Sequence, residues 1–248
     1  MLWEDKMAGA QVAVIAGAGP GLGQALAKRF AQGGFETVIA ARNKDKLEAM
    51  ANDIGDVGGT IHVVPTDVTD PSAVAKLFEE ADKIGPLGVT VFNAGNMHSG
   101  PILEIDPKDF EEVWRVACFA GFLVGQQAGM RLAPSKQGTL LFTGATASMR
   151  GGPRFVTFAS AKAGLRSVAQ SFARSLGPEG VHVGHVVIDG VIDTVSIRGK
   201  MPDLAKRLDE SDGFMKPEEI AEVYFAMHEQ PKSAWSFEID IRPASENF

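Results

Sequence analysis

The sharpest chemical signal in this sequence is the run Gly17-Ala18-Gly19-Pro20-Gly21-Leu22-Gly23, which follows a short apolar segment and opens one with helical spacing. Glycines at such a place let the backbone turn tightly and approach a pyrophosphate, whose charge is stabilised by free N–H groups at the helix N-terminus. Many tight turns also use a glycine cluster for purely structural ends. Position decides between the two: a first strand, a first helix and a second strand ending about 20 residues later make a dinucleotide fingerprint. At the end of that second strand stand Ala40-Ala41-Arg42-Asn43. No carboxylate is present there to repel a 2′-phosphate, and Arg42 is able to pair with one. NADP(H) is therefore expected over NAD(H), the alternative being an arginine on a solvated helix start.

Other reactive side chains are weaker signals. Thr143, Thr146, Ser148, Thr157 and Ser160 lie close together in sequence. Thr146 and Ser148 are the best placed to orient a substrate, because the turn after the fifth predicted strand faces the C-terminal edge of the sheet. Turn hydroxyls bonding their own backbone are the plain alternative. His98 sits in a loop near the expected cleft, either as a proton donor or as a solvated loop histidine. His182 and His185 are three apart on a predicted strand, so they point to opposite faces and argue against joint metal ligation. No metal site is expected. Cys118, the single cysteine, lies in an apolar helix and reads as an inert buried thiol. Without an intrachain disulfide, a reducing, cytoplasmic setting is expected.

These residues are positioned by alternating elements. Strands are predicted at 11–16, 37–41, 61–64, 88–92, 138–142, 181–188 and 237–241. Helical periodicity occupies 25–30, 44–54, 72–84, 109–131, 155–176 and 218–229. Strands apolar throughout, alternating with helices, imply an α/β fold: a single-domain, Rossmann-like, doubly wound parallel sheet of about seven strands, with helices on both faces. Asp70-Pro71 and Lys216-Pro217-Glu218-Glu219 add helix-start signals. The least regular stretch, 190–213, is expected to be a mobile substrate lid. No composition break or repeat divides residues 1–248.

Composition fits this picture. The 248 residues are 45% apolar and 22% charged, with a formal charge of −7. Such a balance gives nucleic acid or an anionic membrane no net attraction. The acidic start, 1–7, reads as neither a signal peptide nor a membrane anchor.

With Gly17, Gly21 and Gly23 spaced G-x-x-x-G-x-G, Thr66-Asp67-Val68-Thr69 after the third strand and Asn93-Ala94-Gly95 after the fourth, the chain resembles the short-chain dehydrogenase/reductase family. Phe158-Ala159-Ser160-Ala161-Lys162 stands in the place of the family's Y-x-x-x-K, and Gly190 with Thr194 where the family has P-G followed by Thr. The resemblance implies that Gly17, Gly19, Gly21, Leu22 and Gly23 cradle the cofactor with Val68, Ala94 and Gly95 beside it. It implies that Asp67 bonds near the adenine ring, Asn93 braces the central strand, Lys162 binds the nicotinamide ribose, and Gly190 and Thr194 flank the nicotinamide. It also implies a homodimer or homotetramer formed through the fourth and fifth predicted helices.

The departures fall on the chemistry. By the same resemblance, the catalytic tyrosine falls on Phe158, the serine on Ala145 and the helix asparagine on Ala117, leaving Lys162 alone of the tetrad. Hydride transfer to a carbonyl leaves an alkoxide that must take up a proton, which phenylalanine does not supply. Losing the general acid removes about 10²–10⁴ in rate, and losing an oxyanion donor about 10²–10³, without simple additivity. Two functions follow: a divergent NADP(H)-dependent oxidoreductase acting on a carbonyl or alcohol, or an inactive NADP(H)-binding pseudoenzyme that regulates or scaffolds a partner.

Overall fold

The computed structural model describes residues 10–55 and 60–246; the acidic start lies outside them. Strand β1 (Val12–Ala16) is buried on both faces and runs into the glycine turn, after which α1 (Leu22–Gln32) begins. The pattern then repeats through β2 (Glu36–Ala41), α2 (Lys44–Ile54), β3 (Ile61–Pro65), α3 (Pro71–Ile84) and β4 (Leu87–Phe92). Helix α4 (Pro107–Trp114) passes through a π-helical turn, Arg115–Phe119, into α5 (Ala120–Ser135). Then come β5 (Thr139–Thr143), α6 (Val156–Leu176) and β6 (His182–Ile188). The last part holds β7 (Val191–Ile192), α7 (Val195–Lys200), α8 (Pro202–Glu210), β8 (Phe214–Met215), α9 (Pro217–His228) and β9 (Glu238–Ile241).

Seven strands form one sheet in the order β3-β2-β1-β4-β5-β6-β9, every neighbour parallel. The register sets Ile15 of β1 beside Ile39 of β2 and Val91 of β4. Two apolar layers cover its faces. One packs Leu26, Phe30, Tyr224 and Phe225 from α1 and α9 over Ile15 and Ile39; the other packs Leu77, Phe78, Val124 and Leu165 from α3, α5 and α6 over Val14 and Phe142. Chain order reverses at β1, between β2 and β4, so a crevice opens there beyond the strand C-termini.

Two expectations need correction. The stretch 190–213 is not irregular: it holds β7, α7 and α8, with β7 paired to β8 in a separate two-stranded sheet. Charged and glycine-rich composition hid helices of six and nine residues. The helix expected over 109–131 runs from Pro107 to Ser135, but the π turn interrupts it. Among the described residues, no helix is long and apolar enough to cross a membrane.

Candidate active site

A cleft of about 1370 Å³ occupies the crevice between β1 and β4. The glycine turn forms its floor. Gly17, Gly19, Leu22 and Gly23 line it. Gly17 has φ +99°, and a Cβ there would lie 2.3 Å from the backbone nitrogen of Ala94. That close approach lets β1 and β4 deliver their loops to one place. Gly19 differs: a Cβ there would meet no protein atom within 4 Å, so the turn presents bare backbone to the cleft. Gly21 lies behind the lining, with φ +104° and the Thr194 methyl 2.7 Å from where its Cβ would stand.

The first turn of α1 is uncapped. Asn43, Asp70 and Asp106 each accept a backbone N–H at the starts of α2, α3 and α4, whereas Gly21 has no side chain to offer α1. The Gln24 N–H bonds the Gly19 carbonyl at 3.0 Å, while Leu22 and Gly23, at the positive dipole end of the helix, line the cleft, which suits an anionic ligand. Arg42, Asp67 and Val68 line the neighbouring wall. The Thr69 backbone N–H, at 2.9 Å, and the Thr69 hydroxyl, at 2.7 Å, both bond Asp67 Oδ1 and hold its carboxyl below the usual range.

Asn93 ties the floor to the deeper core. Its Nδ2 donates to the Gly17 carbonyl at 3.0 Å, and its Oδ1 accepts from Thr143 Oγ1 at 3.1 Å. The Tyr224 hydroxyl donates to that same Thr143 oxygen at 2.8 Å. The chain's one tyrosine thus braces the turn from below, fully buried, with its phenol pushed up by burial, and does not reach the cleft. Ala94 and Gly95 continue the lining, and a Cβ at Gly95 would lie 3.6 Å from Lys162 Nζ.

At the end of the cleft beside β5, Lys162 is 4% exposed and its Nζ donates to the Thr143 carbonyl at 2.8 Å. Burial lowers its amine to about 8. Phe158 lines the cleft with its ring centroid 5.7 Å from that ammonium, and Ala145 lines it next to the turn after β5. Gly190 and Thr194 close the end beneath α7. Ala117 does not line the cleft. It is buried in the π turn against Val113 and Ala161, while its neighbours Arg115 and Val116 reach the lining.

The nearby hydroxyls have separate tasks. Ser148 Oγ accepts the Ala145 N–H at 3.1 Å, Thr157 donates to the His98 carbonyl, and Ser160 to the Thr157 carbonyl. Of the two hydroxyls singled out in the turn, only Thr146 lines the cleft. Its Oγ donates to Asp189 Oδ1. His98 is outside the lining and stands 3.6 Å from Asp109. His182 stacks on Trp235, and His185 bonds Glu238 at 2.9 Å, so each histidine has its own surroundings. Cys118 is buried, and burial raises its thiol. Asp189 escaped the sequence reading. The signal was present, since Ile188-Asp189-Gly190 carries an aspartate where the family pattern has proline before glycine.

Comparison with known proteins agrees with this geometry. The short chain dehydrogenase family model matches residues 11–203. The crystal structure of a short-chain dehydrogenase from Rhodopseudomonas palustris is 40% identical, covers 94% of this chain and 98% of its own, and superposes with a TM-score of 0.80. An uncharacterized oxidoreductase of Staphylococcus aureus (strain N315) is 29% identical over 234 residues, 94% of this chain and 97% of the relative. A single-residue variant of the actinorhodin polyketide ketoreductase with NADPH, 19% identical over 96% of this chain and 98% of its own, shares the fold with a TM-score of 0.87. With the family model matching residues 11–203 and a 40% identical short-chain dehydrogenase covering 94% of the chain, this chain belongs to the short-chain dehydrogenase family of oxidoreductases.

Proposed function

We propose that this chain is an NADP(H)-dependent oxidoreductase acting on an alcohol or carbonyl compound of largely apolar character. The observation that carries the reading is the cleft, which joins the bare glycine turn, Arg42, Asp67, Asn93 and Lys162 in one continuous hollow. The residues fit a dinucleotide. The uncapped start of α1 receives a pyrophosphate, and Arg42 receives a 2′-phosphate with no carboxylate opposing it on Ala40 or Ala41. Asp67 lies toward the adenine end, and Lys162 offers ammonium donors to a ribose. Bound there, the cofactor supplies a hydride donor or acceptor.

The remaining lining sets the substrate class. Met97, Phe155, Phe158, Ile197, Met201 and Leu204 present carbon to the cleft, with Lys108, Glu111, Glu112, Arg115 and Arg150 also on its lining. Titration of the purified protein with NADPH and NADH, followed by nicotinamide fluorescence and calorimetry, tests the reading. NADPH is expected to bind at micromolar concentration or tighter, and Arg42→Ala to remove about tenfold of its preference over NADH, or ~1.4 kcal/mol. Failure of the folded protein to bind either dinucleotide refutes it.

A second reading rests on Phe158, Ala145 and Ala117, none of which transfers a proton: a pseudoenzyme that keeps the cofactor and has lost turnover. Phe158→Tyr combined with Ala145→Ser separates the two. Carbonyl reduction that appears only in this double variant favours the pseudoenzyme, whereas turnover by the unaltered chain favours the enzyme.

A further inference from the structure

Thr146 opens the short 3₁₀ turn Thr146–Ser148, one residue past Ala145, where the turn packs against α6 and β6. Asp189 follows the last residue of β6. The Thr146 hydroxyl donates to Asp189 Oδ1, and Arg242 Nη1 stands 3.2 Å from Asp189 Oδ2. Thr146 and Asp189 both line the cleft together with Ala145, Phe158, Lys162 and Gly190. The Asp189 side chain is 10% exposed, so this pair belongs to the wall of the cleft rather than to the outer surface.

The direction of that hydrogen bond matters. A hydroxyl has one proton to give, and Thr146 gives it to a carboxylate, so toward the cleft its oxygen acts as an acceptor. A carbonyl substrate would bring lone pairs against lone pairs. An alcohol brings a proton and completes a chain from its own O–H to Thr146 and on to Asp189. Arg242 fixes the far carboxylate oxygen and keeps the near one aimed at Thr146.

We propose that Thr146 and Asp189 replace the missing acid–base groups, with Thr146 accepting the hydroxyl proton of an alcohol substrate and passing its own proton to Asp189. This rests on the function proposed above. In the step, the substrate O–H bond breaks as a new O–H forms on Thr146 Oγ. The former Thr146 O–H bond breaks as one forms on Asp189 Oδ1. The carbinol C–H bond breaks with its electron pair passing to an oxidised nicotinamide dinucleotide, and a C=O double bond results. Thr146 touches the substrate; Asp189 acts through Thr146 as its positioning residue and proton acceptor. Reduction runs the same steps in reverse, so substitutions here lower kcat/KM equally in both directions at one pH.

The test uses NADP⁺ with a panel of aliphatic secondary and benzylic alcohols as probes, on the full chain and on Thr146→Val, Thr146→Ser and Asp189→Asn. The unaltered chain is expected to oxidise at least one probe. Thr146→Val and Asp189→Asn are expected to lower kcat about 100-fold or more, with the KM for NADP⁺ and the NADPH dissociation constant within about twofold. Thr146→Ser, which keeps the hydroxyl, is expected to retain kcat within about fivefold. A merely structural pair would shift melting temperature and cofactor affinity in Thr146→Val and Asp189→Asn while leaving kcat within about threefold. Turnover by Thr146→Val within about threefold of the unaltered chain overturns the proposal. So does an unaltered chain inert toward the whole panel while still binding NADPH. Loss of NADPH binding itself would instead refute the cofactor reading on which the proposal stands. If Asp189→Asn does not fold, the valine and serine pair at 146 decides.

Discussion

Lys162 sets stability against binding within a single side chain. Its amine is lowered by burial from 10.5 to about 8, so the unfolded chain holds that proton more tightly than the native one. The sign follows: at pH 7 the fold carries the whole cost of a buried ammonium, and the cost is relieved as pH rises from about 8 toward 10.5. The hydrogen bond to the Thr143 carbonyl offsets part of it. Lys162→Met is therefore expected to raise stability by an amount on the order of 1–3 kcal/mol at pH 7, measured by urea unfolding. The same substitution is expected to weaken NADPH binding at least about tenfold, because it removes a charged donor from the cleft. A variant that is both less stable and equally tight would contradict this account of the residue.

At the scale of elements, the glycine turn separates folding from binding within three positions. Gly17→Ala puts a methyl against the Ala94 backbone at positive φ, so β1 and β4 must part; a loss of about 2–4 kcal/mol is expected. Gly19→Ala meets no protein atom, so its melting temperature is expected to stay within about 2 °C while NADPH affinity falls, because the methyl enters the cleft. Both are read by thermal melts paired with cofactor titration. Most elements were legible because a buried parallel strand is apolar on both faces and its helix carries a 3.6-residue stripe. The glycine turn and Arg42 were legible from their places just past β1 and β2, and Asn93 and Lys162 through the family motifs that the chain resembles. Four features were not legible. The π turn at Arg115–Phe119 leaves the apolar stripe running through it, and β7 and β8, at two residues each, are too short to show a period. The Thr146–Asp189 pair joins positions 43 apart, a contact that local pattern does not encode. Helices α7 and α8 were masked by their charges, yet those charges hold them. Arg198 reaches Asp193 and Asp209, each through two hydrogen bonds, and its guanidinium lies 4.6 Å from the Phe214 ring centroid. Arg198→Ala is accordingly expected to speed amide exchange across 195–210 with little change in global melting, since that cluster lies on exposed surface.

For the molecule as a whole, the titrating groups make stability fall on the acid side well before the carboxylates protonate. His228 sits at the end of α9 among Phe30, Phe35 and Phe225, with Nδ1 2.9 Å from Thr139 Oγ1. Burial lowers it to about 4, with a smaller push from His182. Burial also lowers His182 and His185. A histidine held neutral in the fold takes up a proton more readily when the chain unfolds. Its contribution is thus fully present above about 6.5 and is lost as pH falls toward about 4, where the native ring is protonated as well. Each such group removes about 1.4 kcal/mol per pH unit inside its window, so several acting together make the slope steep. Glu238, held low first by Arg166 and then also by His185, adds a loss only at more acid pH, when its carboxylate protonates. Urea midpoints measured from pH 7.5 down to pH 5 are expected to fall continuously, and His228→Gln to flatten the curve by removing one proton from the balance. A midpoint level from pH 7 to pH 5 would mean that water or relaxation solvates these rings in the fold. In that case the packing of α9 against α1, which also carries Tyr224 beneath the glycine turn, would be looser than its close aromatic contacts indicate.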